Sequence, residues 1–319
     1  MPAHLTVLGS INMDLVAYTD RLPAGGETVL AYSFQTFPGG KGANQAVAAA
    51  RMGAQVTMLA RVGEDAFGDQ LLATLRANGV NAARVKRSQA ASGTALITVD
   101  RQGRNTIVVA PGANGEVLPA DLDGWQDALT QADILLMQLE IPLETVLEAA
   151  RRARAAGVTV ILNPSPARVL PEELLGLVDV LVMNKHETAL ISAMDVLSLD
   201  QVERAARSLL ERGVGWVVVT LGEEGALAVS RAGTIRAPGF TVEVVDTVAA
   251  GDAFTGALAA ALAEGGEIRP GQAPETAVVP VEANILRIAN AAGALAVTVR
   301  GAQPSLPTRD RVEEFLRKR

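Results

Sequence analysis

Short apolar runs recur along the chain, and they are apolar on both sides rather than in alternation. "DILLMQ" (133–138), "VTVILN" (158–163), "DVLVMN" (179–184) and "GWVVVTLG" (215–222) are of this kind, after "LTVLG" (5–9) and "VTMLARVG" (56–63) earlier. A strand with no water-facing side must be covered on both faces, which points to parallel strands joined by helical crossovers. Ala- and Leu-rich segments of helical pattern fill the gaps: "KGANQAVAAARMG" (41–53), then 142–156 and 200–212. The expected fold is α/β: a doubly wound, mostly parallel sheet with helices on both faces. Aromatic residues are 3% of the chain against 49% hydrophobic, so the core must be aliphatic. All 319 residues fit one large domain of this class, 1–319.

Two segments break the rhythm. Residues 14–37 and 93–110 alternate polar with apolar, and "TALITVDRQGRNTIVVA" (94–110) reads as a hairpin around "RQGR". They predict an antiparallel flap on the α/β body. Residues 264–283, rich in Gly, Pro and Glu, predict a long surface loop between two helices.

Composition removes several chemistries. There is no cysteine and there are two histidines, so disulfides, thiolate or multi-histidine metal sites and cysteine nucleophiles are excluded. No G-x-S-x-G elbow is present. The net charge is −7 and the basic residues are scattered, which disfavours nucleic acid as a partner. No run suits a membrane span and the N-terminal stretch does not read as a signal peptide, so a cytoplasmic location is the expectation.

"VDTVAAGDAF" (245–254) carries two aspartates ahead of an apolar helix, with "FTVEVVDT" (240–247) read as a strand before it. Amides of Ala249, Ala250 and Gly251 would then be free donors at a helix start, where phosphate binds. A carboxylate beside an anion hole repels phosphate. It makes sense if Asp252 takes a proton from a hydroxyl that attacks phosphorus. The plainer reading, a helix cap, is equally open from these residues alone.

"FPGGKGANQAVAAARMGA" (37–54) sets Lys41 among Gly39, Gly40 and Gly42 at another helix start, with Asn44 in its first turn. It is neither a Walker A loop nor G-x-G-x-x-G. Asn12 and Asp14 follow the first strand, and Glu140, Asn184 with Glu187, and Thr220 to Gly225 follow later ones. Each is an ordinary turn candidate taken singly. Together they predict one cleft along the carboxyl edge of the sheet.

These motifs resemble the ribokinase-like family of carbohydrate kinases over nearly the whole length, through "GGKGANQA", "DTVAAGDAFTGAL", "LLMQLEIPLE" and "RGAQPSLP". The resemblance implies ATP-dependent phosphorylation of D-ribose at its 5-hydroxyl, with Asp252 as base and Ala249, Ala250 and Gly251 as anion hole. It places sugar on Asn12, Asp14, Gly40, Lys41, Gly42, Ala43, Asn44, Glu140 and Asp252. It places ATP on Asn184, Thr220, Leu221, Gly222, Glu223, Glu224, Gly225, Gly251, Asp252 and Asn290, with magnesium reached through Glu187. It implies an activating potassium ion held by Asp246, Val248, Ala296, Val299, Gly301 and Ser305. The segments 14–37 and 93–110 would be a β lid that closes over sugar and pairs with a second copy in a homodimer. The 264–283 stretch departs from the family in length, next to the helix carrying Asn290.

Three other readings compete with this one. The same chemistry could act on fructose, a nucleoside or a deoxy-sugar. A sugar sensor on this fold would have no need of Asp252. A nicotinamide oxidoreductase would need a glycine fingerprint where Gly9 is followed by Ser10, Ile11 and Asn12.

Overall fold

The computed structural model describes residues 4–265 and 283–319. In chain order its strands are β1 (His4–Leu8), β2 (Asn12–Thr19), β3 (Ala31–Gly39), β4 (Gln55–Leu59), β5 (Arg61–Gly63), β6 (Val80–Asn81), β7 (Lys86–Ser88), β8 (Gly93–Val99), β9 (Asn105–Ala110), β10 (Ile134–Met137), β11 (Thr159–Leu162), β12 (Val180–Asn184), β13 (Trp216–Thr220), β14 (Ala226–Ser230) and β15 (Gly233–Ala237). The helices are α1 (Lys41–Arg51), α2 (Ala66–Ala77), α3 (Gln126–Thr130), α4 (Leu143–Ala155), α5 (Glu172–Leu177), α6 (Lys185–Ser192), α7 (Leu199–Glu211), α8 (Ala250–Glu264), α9 (Ala283–Ala296) and α10 (Arg309–Arg317).

Nine strands form one sheet in the order β15-β14-β13-β12-β11-β10-β1-β4-β6. Its seven strands from β13 to β6 are parallel, and β14 and β15 extend it antiparallel. Side chains alternate across each strand, and the two sets fill two cores. Leu5, Val7, Met58, Leu136, Ile161 and Val182 pack with α1, α8 and α9 on one face. Leu8, Leu59, Leu135, Met137, Leu162 and Met183 pack with α4, α5 and α7 on the other. This is why the strand sequences are apolar throughout.

The two alternating segments make a separate four-stranded sheet, β3-β2-β8-β9, which is mixed rather than the expected antiparallel flap: β2 with β3 and β8 with β9 are antiparallel, but the central pair β2 and β8 is parallel. β2 begins four residues after β1 ends, so this sheet springs directly from the carboxyl edge of the large one. Its edge strand β9 is exposed at every residue, and Phe34, Leu96 and Val108 stand more than half exposed.

Two further expectations are corrected. Residues 56–63 are not one strand: the chain leaves the large sheet at Ala60, whose carbonyl accepts the Lys86 amide at 3.0 Å, and β5 pairs with β7 instead. Residues 240–247 are not a strand either. The Val245 and Asp246 amides both donate to the Val297 carbonyl, so this stretch is held by one acceptor rather than by a ladder. The 264–283 loop falls almost wholly on residues outside those described; α8 ends at Glu264 and α9 starts at Ala283. Among the described residues no helix is long and apolar enough to cross a membrane.

One buried ion cluster joins β5 and β7 to the turn before α3. Asp121 accepts from Arg61 Nε and Nη2 at 2.8 and 2.6 Å, from Lys86 Nζ at 2.8 Å and from the Leu118 amide at 3.0 Å. Burial alone would raise its carboxyl; these donors outweigh burial and bring it from 3.8 down to about 2. A carboxyl with a lower pKa folded than unfolded stabilises the fold above pH 4, and that contribution is lost as pH falls through 2. Asp121→Asn is therefore expected to cost about 2 kcal/mol in urea unfolding at pH 7. The gap between variant and wild type should close between pH 4 and pH 2. A gap that stays constant over that range would assign the loss to packing instead.

Candidate active site

The carboxyl ends of β1 and β10, the start of β2 and the first turns of α1 and α8 meet at one place. α1 begins at Lys41 with no side-chain cap, behind Gly40 at φ 87°. A Cβ on Gly40 would stand 2.7 Å from the Asn12 amide, so the chain can turn from β3 into α1 this close to β2 only with glycine there. α8 begins at Ala250, behind Ala249 in the left-handed region at φ 61°, again with no side-chain cap. For a residue with a Cβ that conformation costs on the order of 1 kcal/mol, a form of strain that gathers at functional sites.

The α8 start has the donors that an anion needs. The Ala249, Gly251 and Asp252 amides find no acceptor among the described residues. Ala250 differs from expectation in part, because its amide makes a long 3.4 Å bond to the Thr247 carbonyl. Asp252 stands in the first turn and is buried. It does not cap its own helix. Its Oδ2 accepts from Asn44 Nδ2 at 2.9 Å and its Oδ1 from Gln45 Nε2 at 2.9 Å. Each oxygen keeps a further lone pair for a ligand hydroxyl. Asn44 Oδ1 is buried and has no donor among the described residues.

Glu140 follows β10 and is clamped through one oxygen, Oε2, by the Ser10 hydroxyl and by the Lys41 amide at 3.0 Å. Asp14, on β2, lies close enough to Glu140 and Asp252 to feel both. Burial first, then those two carboxylates, push its carboxyl from 3.8 up to about 7. Lys41 is the counter-charge. Burial works against its ammonium, but Asp252, Glu140 and Glu187 outweigh it and hold its pKa above the ordinary lysine value. Asn12 is oriented by Asn114, whose Nδ2 donates to Asn12 Oδ1 at 2.7 Å. The structure thus brings Asn12, Asp14, Gly40, Lys41, Gly42, Ala43, Asn44, Glu140 and Asp252 into one cluster of acceptors around one cation. Such a cluster suits a neutral ligand with many hydroxyl groups.

The residues expected at a nucleotide lie further along the same edge. Asn184 ends β12 beside Thr220 at the end of β13. Asn184 and Glu187 form a reciprocal cap for α6: Asn184 Oδ1 accepts the Glu187 amide at 2.8 Å and Glu187 Oε2 accepts the Asn184 amide at 2.9 Å. That leaves Asn184 Nδ2 and Glu187 Oε1 for a phosphate or a hydrated magnesium ion. Leu221 to Gly225 form a tight turn, with Gly222 and Gly225 at positive φ and the Leu221 amide on the Gly225 carbonyl. Glu223 is exposed, and Glu224 pairs with Lys185. Asn290 is already committed in part, since its Nδ2 donates to the carbonyls of Ala237 and Pro238.

The residues expected at a monovalent cation also lie together. Asp246 accepts the Val248 amide at 3.0 Å and the Gly301 amide at 2.9 Å, which ties the α8 approach to the stretch after α9. The carbonyls of Val248, Val299 and Gly301 have no donor among the described residues. The buried Ser305 hydroxyl donates to the Ala302 carbonyl, which turns its lone pairs outward. Ala296 differs: its carbonyl accepts the Val299 amide at 3.2 Å. An all-oxygen set with one carboxylate fits a hard monovalent cation.

Sequence reasoning missed Ser10, Gln45, Asn114, Gln138 and Asn163. Each is buried and hydrogen-bonded to the groups above or to their partners. The available signal was polar residues inside otherwise apolar runs, Gln138 in "LLMQ" and Asn163 in "VILN".

The pattern of the pfkB family carbohydrate kinases matches residues 2–309. The chain is 40% identical to a ribokinase of Bacillus subtilis over 314 residues, 98% of this chain and 99% of that one. It is 37% identical to a deoxyribokinase of Salmonella typhi over 98% of both. The structure of an Arabidopsis thaliana ribokinase complexed with ribose and ATP superposes with a TM-score of 0.87 at 34% identity, covering 99% of each chain. With the family matched along almost its entire length, and with its two glycine-bearing motifs at the two uncapped helix starts, the chain belongs to the pfkB family of carbohydrate kinases.

Proposed function

We propose that the protein transfers the γ-phosphoryl group of ATP to the 5-hydroxyl of D-ribose. The observation that carries this reading is Asp252: a buried carboxylate, held on both oxygens by side-chain amides, beside free backbone donors at a helix start. The ribose hydroxyls pair with Asn12, Asp14, Lys41, Asn44 and Glu140. Asp252 accepts the proton of the 5-hydroxyl as that oxygen bonds to phosphorus and the bond to the ADP oxygen breaks. The Gly251 and Asp252 amides meet the phosphoryl oxygens, a preorganised arrangement that stabilises the developing charge. Asn184 and Glu187 would hold the phosphate and magnesium side, where the metal offsets phosphate charge. Asp246, Val248, Val299, Gly301 and Ser305 would hold potassium, and Asp246 links it to the α8 approach through the Val248 amide. A cytoplasmic enzyme of one domain, with the second sheet as lid, is part of the same reading.

A second reading, the same transfer to 2-deoxyribose, is favoured by the Salmonella relative. Initial rates with D-ribose, 2-deoxyribose, fructose and adenosine, with and without potassium, decide between them. The reading expects D-ribose to have the highest kcat/KM and potassium to raise it. Higher turnover of another acceptor would reassign the substrate, and tight ribose binding without turnover would remove the kinase reading.

The exposed edge strand β9 and the apolar residues around it need a cover. A second copy of the same sheet supplies one, so light scattering is expected to give twice the chain mass. Phe34→Glu with Val108→Glu should return the monomer. A monomeric wild type at micromolar concentration would overturn this.

A further inference from the structure

Behind Asp252 lies a chain of buried amides that substrate cannot reach. Gln138 Nε2 donates to Gln45 Oε1 at 2.6 Å, and Gln45 Nε2 donates to Asp252 Oδ1 at 2.9 Å and to Asn163 Oδ1 at 3.0 Å. Asn163 Nδ2 then donates to the Val182 carbonyl at 2.9 Å. Gln45 and Gln138 have no exposed surface at all.

The direction of this chain is informative. An ionised carboxylate only accepts, so Gln45 must turn its NH2 toward Asp252 and its oxygen away. Gln138 must then supply a donor, which turns its own Oε1 toward Gly9, where it is buried without a donor among the described residues. An orphaned buried acceptor is costly and rare. Reversing both amides would face the Gln45 carbonyl toward the carboxylate, so the orphan is what the anion at the far end imposes. Asn44 holds the other carboxylate oxygen, and the two amides together stop its rotation.

We propose that Gln45, backed by Gln138 and Asn163, is a positioning residue for phosphoryl transfer. It fixes the plane of the Asp252 carboxylate against the ends of β10, β11 and β12. The proposal rests on Asp252 being the base. It predicts a loss in kcat without a matching loss in sugar binding, because Asn12, Asp14, Lys41 and Glu140 are untouched.

The test uses Gln45→Leu, Gln138→Met and Asp252→Asn in the full chain. It compares kcat, sugar Kd and stoichiometry by calorimetry, and the thermal midpoint. Gln45→Leu is expected to lower kcat by about 30-fold, with sugar Kd within about threefold. Gln138→Met removes the donor that sets the Gln45 amide but does not touch Asp252. It is expected to lower kcat by about fivefold while the thermal midpoint stays within about 3 °C, because one orphan acceptor replaces another. Rates normalised to the sugar-binding fraction guard against partial unfolding, and Gln138→Met decides alone if Gln45→Leu does not fold. If Asp252→Asn is inactive while both glutamine variants keep kcat within twofold, the base stands and the positioning role falls. It also falls if kcat and sugar affinity drop together. If Asp252→Asn turns over within tenfold of wild type, the base reading itself is wrong.

Discussion

Asp252→Asn is expected to lower kcat by about 10³-fold and sugar affinity by less than about tenfold. The asparagine has nearly the shape of the aspartate but cannot take a proton. It also presents an NH2 to one of two amide donors, Asn44 Nδ2 or Gln45 Nε2, which already point at that carboxylate. That mismatch explains the modest loss expected in binding. The hydroxyl contacts proposed for Asn12, Asp14, Lys41 and Glu140 are expected to stay in place. Single-turnover transfer from ATP, followed alongside calorimetric sugar binding, separates the two effects. Loss of binding equal to the loss of rate would make Asp252 a sugar ligand rather than a base.

Gly256→Ala is expected to be nearly as damaging, although Gly256 lies one helical turn beyond Asp252. A methyl group there would stand 2.6 Å from the Gln45 carbonyl and 2.5 Å from Ala48 Cβ. The Gln45 carbonyl belongs to helix backbone and cannot move aside alone, so α8 would have to shift away from α1. Alanine's better helix propensity returns about 1 kcal/mol, and the overpacking costs about 1–3 kcal/mol. The net fall in stability is therefore small. The larger effect is on rate, because Asn44 and Gln45 ride on α1 while Asp252 rides on α8. A displacement near 1 Å is expected to lower kcat by about 10²-fold. Urea unfolding beside kcat shows whether rate falls further than stability. Wild-type kcat in a folded Gly256→Ala would mean that the two helices tolerate separation.

The parallel sheet was legible because β10, β11 and β12 carry no polar residue on either face except at their ends. The separate sheet was legible for the opposite reason, as its segments mix polar residues among the apolar ones, but its mixed strand direction and the exposure of β9 at every residue were not legible. What escaped were features set by single partners. Ala60 diverts a continuous apolar run out of the large sheet, and nothing in "VTMLARVG" marks that break. The 240–247 stretch has β-branched residues but pairs through Val297, more than fifty residues onward. In the site, the motif residues were legible because glycine and charge stand out in an apolar chain. Gln45 and Gln138 were not, because a lone amide in an alanine-rich helix or just past a strand looks the same whether or not it orients a carboxylate, and Asn114 was not, because an asparagine next to a glycine reads as an ordinary turn residue.

The α1–α8 contact at Gly256 carries a consequence for how such a protein can diverge. Asp252, its amide partners Asn44 and Gln45, and the free amides at the α8 start are carried by a helix pair packed too closely to admit one more methyl group at Gly256. Asn12 and Asp14 instead stand on β2, in a sheet whose outer strand β9 is exposed at every residue. On the proposed assignment of Asn12 and Asp14 to the sugar, substitutions that re-tailor its fit can accumulate on the β2 side while α1 and α8 stay fixed. Relatives named for ribose and for deoxyribose, nearly equally similar to this chain, are what such a division of labour would leave behind.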